Sequence, residues 1–338
     1  MLYSSLVRPL LFRMEPEQAH DLTLKGCALL SRLPVLCRFA RAMARPRVLP
    51  VTTMGLTFPN PVGLAGGMDK NAVAPYAWWA MGFGFLELGT VTPLPQPGNE
   101  KPRMFRVPAE LALINRMGFN NQGAEAVAQR LKLQAERGQR PAFPIGMSLG
   151  KNKMTADEQT AEDYARCARV VAPMVDFLSI NVSSPNTPGL RQLQTPAWLS
   201  KLVGAVRAES LSKPVLVKVA PELEGDALRS AAEAVMAAGA AGLIATNTLS
   251  TVAPTGEPAG KSGRPLQEIA ARRIEKLRSI VGSSATLIGV GGIDDTASAR
   301  RTLEAGANLV QIYTGLVYEG PWLPVTMTRG LHRRNTGR

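Results

Sequence analysis

The chain has 338 residues, 45% of them hydrophobic and 19% charged, a balance that excludes a disordered chain and supports a sizeable core. Lys and Arg number 39 against 26 Asp and Glu, and the net charge of +13 suits an anionic partner: nucleic acid, an acidic membrane surface or a phosphorylated ligand. Three cysteines without a C-x-x-C and two distant histidines, His20 and His332, leave a metal site or thiol redox motif without support and suit a reducing compartment.

Residues 1–50 are basic and helix-like, with eight Lys/Arg against three Asp/Glu. Arg8 and Arg13 interrupt the opening apolar stretch, so it does not read as a signal peptide. No run anywhere reaches the roughly 18 apolar residues of a membrane-spanning helix. After Pro16, Leu22, Gly26, Leu29 and Leu33 recur at close to the helical period. Pro34 punctuates, and Val35, Leu36, Phe39, Ala40 and Met43 form a second apolar face surrounded by Arg38, Arg41, Arg45 and Arg47. A basic amphipathic pair of this kind fits a membrane-surface element and equally a helical cap packed on the body.

From about residue 54 onward, short β-rich runs alternate with longer helical patterns. Strands are expected at 61–65, 85–90, 144–149, 177–182, 214–219, 242–246, 286–290 and 308–313. Several are near-continuous apolar runs, as in strands buried on both faces. Helices are expected at 124–135, 157–171, 198–210, 225–238, 266–281 and 296–305. Eight strands with intervening helices argue for an α/β (β/α)8 TIM barrel, with a doubly wound open sheet as the alternative, because a count does not prove closure. No G-x-G-x-x-G opens a helix after the first strand, which weakens a dinucleotide-binding sheet. Turn-rich insertions at 94–102 and 250–263 follow strands and read as binding loops or lids. The expected division is an N-terminal helical segment, 1–50, and a barrel domain, 51–338.

Barrel sites lie at the C-terminal ends of the strands. There the sequence places Gly66, Gly67, Met68, Asp69 and Lys70, then Thr90, then Gly150-Lys-Asn152 and Asn181-Val-Ser-Ser-Pro-Asn186. Lys218, Thr246-Asn-Thr248, Gly291-Gly292 and Tyr313-Thr-Gly315 follow. Each alone fits a turn, but turns require neither lysines nor repeated asparagines. Glycines after the last two strands suit a phosphate cradle, and Lys70 and Lys218 suit negative charge on a ligand. Asn115, Asn181, Asn186 and Asn247 suit a ring edge of alternating C=O and N–H groups, such as a pyrimidine or a flavin. Neither a carboxylate pair nor a histidine falls at these ends, which disfavours a Ser-His-Asp hydrolase. A proton acceptor has to be Ser183, Ser184, a lysine or a tyrosine, and difficult chemistry with so few acid–base groups points to a cofactor.

Several longer stretches carry a resemblance: Met54-Gly-Leu-Thr-Phe58, Asn60-Pro-Val-Gly-Leu-Ala65, Gly89-Thr-Val-Thr-Pro93 and Lys101-Pro-Arg-Met-Phe-Arg106. They continue with Asn115-Arg-Met-Gly-Phe-Asn120, Asn181-Val-Ser-Ser-Pro-Asn-Thr-Pro-Gly189, Ala245-Thr-Asn-Thr248, Ser262-Gly-Arg-Pro-Leu266 and Ile288-Gly-Val-Gly-Gly-Ile293. In this order, across essentially the whole chain, they resemble the class 2 dihydroorotate dehydrogenases, the membrane-associated, quinone-reducing bacterial form. The resemblance implies oxidation of dihydroorotate to orotate in pyrimidine synthesis, with FMN as cofactor. A base takes the C5 proton while hydride leaves C6 for flavin N5, and the base matches Ser184. Class 1 relatives place a cysteine there, and none stands in this segment. Lys70, Asn115, Arg116, Met117, Gly118, Phe119, Asn181, Asn186, Asn247 and Thr248 match the family's substrate contacts. Gly66, Gly67, Met68, Asp69, Lys70, Thr90, Ser148, Asn181, Lys218, Thr246, Gly263, Gly292, Tyr313 and Thr314 match its FMN contacts.

Two positions depart from the family pattern: Ser148 stands where many relatives have Asn, and Gly66 where alanine is common. A shorter or water-mediated FMN contact is expected at Ser148. Pro16-Glu-Gln-Ala-His20 matches the start of the helical pair that rests on the membrane and admits quinone, so His20 and Arg106 are the quinone-site candidates. The basic excess then fits anionic lipid. The resemblance further implies a monomer, peripheral on the cytoplasmic face of the cell inner membrane. Nucleic acid is not an expected partner, because the basic residues are spread out and no aromatic-interleaved basic stretch occurs.

Overall fold

All eight expected apolar runs form strands in the computed structural model, which describes residues 3–187 and 189–335. We label them β1 (Val62–Leu64), β2 (Phe85–Val91), β3 (Ile145–Leu149) and β4 (Phe177–Asn181). The second half comprises β5 (Val215–Val219), β6 (Gly242–Ala245), β7 (Thr286–Val290) and β8 (Leu309–Ile312). Each pairs in parallel with the next in sequence, and β8 returns to β1, so the sheet is a closed barrel rather than an open one. Every residue of these strands is buried, because alternate side chains face the barrel axis and the surrounding helices.

Small and large residues alternate inside the barrel. A Cβ on Gly63 would lie 2.2 Å from the Phe85 ring, and one on Gly146 would lie 2.2 Å from the Phe177 ring. The two aromatic rings occupy the space these glycines leave, with centroids 6.4 Å apart. Phe58 meets Phe85 edge-on at 5.3 Å. It belongs to a hairpin, Val51–Thr53 with Leu56–Phe58, that closes the N-terminal end of the barrel.

The 250–263 insertion is not an irregular loop. Leu249–Val252 and Pro258–Gly263 form an antiparallel hairpin that continues through Ala112–Asn115 to Met104–Val107 as a four-stranded sheet. The strand Pro258-Ala-Gly-Lys-Ser-Gly263 has no β-branched or aromatic residue, so its propensity conceals it; its pairing partners decide its conformation. This sheet covers the C-terminal end of the barrel.

Before the barrel come α1 (Arg8–Phe12), α2 (Pro16–Ser31) and α3 (Pro34–Ala44). Proline starts α2 and α3 where no intrahelical N–H is needed. The Glu15 carboxylate caps α2 by accepting the backbone N–H groups of Glu17 and Gln18. Tyr3 and Arg8 donate to the carbonyls of Val317 and Tyr318 and fasten the segment to the barrel. Arg38 donates to the Tyr76 hydroxyl, and Arg41 lies over the Trp79 ring and donates to its carbonyl. These two arginines are therefore committed to the body rather than to the rim of the apolar face. The segment is a packed cap that also leaves Leu22, Leu29, Val35, Leu36, Phe39 and Met43 each at least 50% exposed. Among the described residues no helix is long and apolar enough to cross a membrane.

Candidate functional site

At the C-terminal ends of the strands lies a cleft of about 1070 Å³ including its open mouth. Gly66, Gly67, Lys70, Thr90, Asn181, Lys218, Thr246, Gly263, Gly292, Tyr313 and Thr314 line it, as do Asn115, Met117, Gly118, Phe119, Ser184, Asn186, Asn247 and Thr248. Most of these positions are distant in sequence and meet because the parallel barrel turns the strand ends to the same side, while Asn115, the 117–119 loop and Gly263 come from the covering sheet.

Four expected site residues stand off the lining. Met68 faces a second cavity. Asp69 is fully buried and accepts the N–H groups of Val73, Ala74 and the Trp78 indole, so it fixes the turn after β1. Arg116 points to the Glu100 carbonyl and to Glu257, 3.4 Å away. Ser148 lies behind the lining, with its hydroxyl 2.9 Å from the Thr90 hydroxyl.

The amides form two hydrogen-bonded pairs. Asn186 donates to Asn115 at 2.8 Å, Asn247 to Asn181 at 3.2 Å and to the Ser183 hydroxyl at 3.0 Å, and Asn181 to Thr90 at 3.0 Å. Ser184 is only 5% exposed, and its Oγ accepts the backbone N–H of Asn186 at 3.2 Å. Burial pushes the Lys70 ammonium down to about 8; nearby Arg103 acts in the same direction, and Glu17 and Asp21 oppose it.

Beneath the cleft lies a polar cluster on the barrel axis. Glu87, fully buried, accepts from Ser179 at 2.5 Å and Gln311 at 2.8 Å, and stands 4.0 Å from the Lys218 ammonium. Sequence reasoning missed Glu87 and Gln311, as well as Met104, Leu113 and Ser262 on the lining. A single polar residue inside an otherwise apolar strand was the available signal for the first two.

The cleft has the features a nucleotide-like cofactor needs. Gly263 and Gly292 hold φ of +98° and +69°, and a Cβ on either would fall 2.3 Å from the Leu111 carbonyl oxygen or 2.5 Å from the Gln267 backbone nitrogen. Glycine is needed at both positions to close against these protein neighbours, and it leaves backbone without a side chain on the cleft lining. Oxygens of Asn186, Thr248 and Gln311 are buried on the lining without a hydrogen-bond partner. Such groups are costly to leave unsatisfied and are met by a polar ligand or by water. The polar groups of the lining therefore suit the C=O and N–H edges of a flavin nucleotide or of a cyclic diamide.

A second, predominantly apolar cavity lies between the N-terminal helices and the barrel and shares Met104, Leu113 and Tyr313 with the cleft. His20 and Arg106 both line it. Arg106 stacks on Phe12 and donates to the carbonyls of Met14 and Leu11, so it also holds the end of α1. Burial, with Lys70 nearby, pushes the His20 imidazole down to about 4, and it stays neutral at physiological pH.

The family model for dihydroorotate dehydrogenase matches residues 48–334. A dihydroorotate dehydrogenase (quinone) of Marinobacter nauticus is 46% identical over 332 residues, covering 94% of this chain and 95% of its own. One of Chloroflexus aurantiacus is 45% identical over 353 residues, covering 98% and 96%. Among solved structures, the DHODH of Eimeria tenella in complex with ferulenol superposes with a TM-score of 0.83 at 33% identity, covering 95% of this chain and 92% of its own.

Proposed function

Because the chain belongs to the dihydroorotate dehydrogenase family, as an oxidoreductase of its quinone-dependent branch, we propose that the cleft binds FMN and dihydroorotate and that the adjoining apolar cavity binds quinone. The observation that carries this reading is the pairing of the two cavities across Met104, Leu113 and Tyr313. One side is rich in amides and holds a buried serine; the other is apolar and opens beside the exposed helical face.

Gly263, Gly292 and Thr314 would cradle the cofactor phosphate, and Thr90, Asn181, Lys218 and Thr246 its ring system. Bound there, FMN would supply a two-electron acceptor for the hydride that leaves C6 of dihydroorotate. Asn115, Asn186, Asn247 and Thr248 orient the substrate ring through its alternating C=O and N–H groups. Lys70 opposes the substrate carboxylate. Ser184 Oγ takes the proton from C5, and the electron pair of that C–H bond becomes the C5=C6 double bond of orotate. The Asn186 N–H favours the ionised serine oxygen, and burial excludes water that would compete for it.

The exposed apolar residues of α2 and α3, with Arg32, Arg45 and Arg47 nearby, rest on an anionic bilayer in this reading. Residues 1–50 thus form the quinone-access segment of a monomeric, peripheral protein on the cytoplasmic face of the inner membrane. The test compares oxidants after anaerobic reduction with dihydroorotate. Quinone should reoxidise the protein far faster than fumarate; faster turnover with fumarate would reject the quinone assignment.

A further inference from the structure

We propose that the buried Glu17–Arg103 ion pair makes α2 a positioning element for the substrate half of the cleft. The inference rests on the reading of the cleft as an orotate site. Arg103 and Glu17 are 6% and 4% exposed. Arg103 Nε lies 3.2 and 3.1 Å from the two Glu17 carboxylate oxygens, and Nη2 lies 2.7 Å from Oε1. Its remaining nitrogen, Nη1, donates to the carbonyls of Pro97 at 2.6 Å and Asn99 at 2.7 Å. One rigid, planar guanidinium thus clamps the helix on one side and the 94–102 segment on the other.

That segment is a strap over the substrate lining. The Asn99 backbone N–H donates to the Met117 carbonyl at 3.0 Å. The Asn99 side-chain amide donates to the carbonyls of Arg116 at 2.9 Å and Asn186 at 3.3 Å. Asn186 is two residues from Ser184, and its own N–H binds the Ser184 oxygen. Contact is tight, since a Cβ on Gly98 would fall 2.3 Å from the Met117 carbonyl oxygen. A continuous polar path therefore runs from Glu17 through Arg103 and Asn99 to the serine loop. The same helix carries His20, less than one turn further on, into the apolar cavity. Displacing α2 moves the strap, so both ligands act on one element.

The test uses full-length, FMN-loaded protein and Glu17→Gln, which keeps the side-chain shape but removes its charge. Orotate should bind about fivefold more weakly or worse, a factor at the low end of couplings between sites. The dihydroorotate KM should rise in parallel while kcat stays within about twofold, the signature of lost uniform binding. Hydrogen exchange at the Asn99 amide should accelerate. Asn99→Ala should weaken orotate binding as well, and its effect should not add to that of Glu17→Gln, because the two lie on one path. Should Glu17→Gln fail to fold, Glu17→Asp, which keeps the charge but shortens the reach to Arg103, should show the same changes in orotate binding and Asn99 exchange. A folded Glu17 variant with a lower melting temperature but unchanged orotate affinity and unchanged Asn99 exchange would reduce the pair to a structural ion pair and overturn the proposal. Full additivity with Asn99→Ala would also overturn it. If the wild type binds no orotate while Glu17→Gln still accelerates Asn99 exchange, the cleft reading fails and the strap stands.

Discussion

Ser184 would act as a base without a histidine, so its surroundings have to supply the activation. Burial raises the cost of the charged oxygen, and the Asn186 N–H offsets part of that cost. Ser184→Ala should still bind FMN and orotate, and should lose about 10²–10⁴-fold in flavin reduction, the usual contribution of a general base. Stopped-flow absorbance under anaerobic conditions checks this; near-normal reduction would remove Ser184 from the role. Lys70, held near 8, is mostly charged at neutral pH and loses that charge as pH rises through 8. Orotate affinity should fall over the same range, and pH-independent binding would contradict the pairing with a carboxylate. His20 behaves in the opposite pH range. The unfolded chain takes up its proton near 6.5 and the folded one only near 4. Its stabilising contribution is complete above 6.5 and is lost as pH falls toward 4. His20→Gln should therefore flatten the acid side of a plot of melting temperature against pH. At this scale the strand-end residues were legible in the sequence because glycine, lysine and asparagine at so many strand ends have no common structural need. Glu87 and Gln311 were not, since a lone polar residue in an apolar strand does not say which way it faces.

Helices α2 and α3 show why one sequence pattern supported two readings. Their inner faces pack on the body, while Phe39 and Val35 are 66% and 75% exposed. Replacing both with glutamate should leave reduction by dihydroorotate intact and weaken binding to anionic vesicles, read by co-sedimentation. Unchanged sedimentation would separate this face from the membrane. Arg41 was misread as part of the rim because the sequence does not reveal that Trp79 lies beneath it. The barrel strands were legible as elements because burial on both faces leaves continuous apolar runs. The Leu249–Gly263 hairpin was hidden because pairing with Ala112–Asn115, rather than local propensity, holds it. Inside the barrel, Gly146→Ala would press a methyl group into the Phe177 ring. A loss of about 1–3 kcal/mol is expected for such overpacking, measured by denaturant unfolding; a neutral result would mean the ring moves freely.

Over the whole molecule, closure was the one feature that strand counting left open, since local patterns are the same in an open and a closed sheet. Pairing of β8 with β1 decides it and turns the strand ends to one side, where residues from seven of them line the cleft. The resemblance pointed to His20 and Arg106, but the cavity they line is legible only in three dimensions, because Tyr3, His20, Arg106 and Trp322 come from separated parts of the chain. In the proposed reading, its contact with the cleft would let one protein take electrons from a polar, water-soluble substrate and deliver them to an apolar one. The most direct test is anaerobic addition of dihydroorotate to the FMN-loaded full-length protein, followed by visible absorbance. The account predicts that the oxidised flavin bleaches with stoichiometric formation of orotate, and that added quinone restores the colour. Intact, unbleached FMN in the presence of saturating dihydroorotate would contradict it.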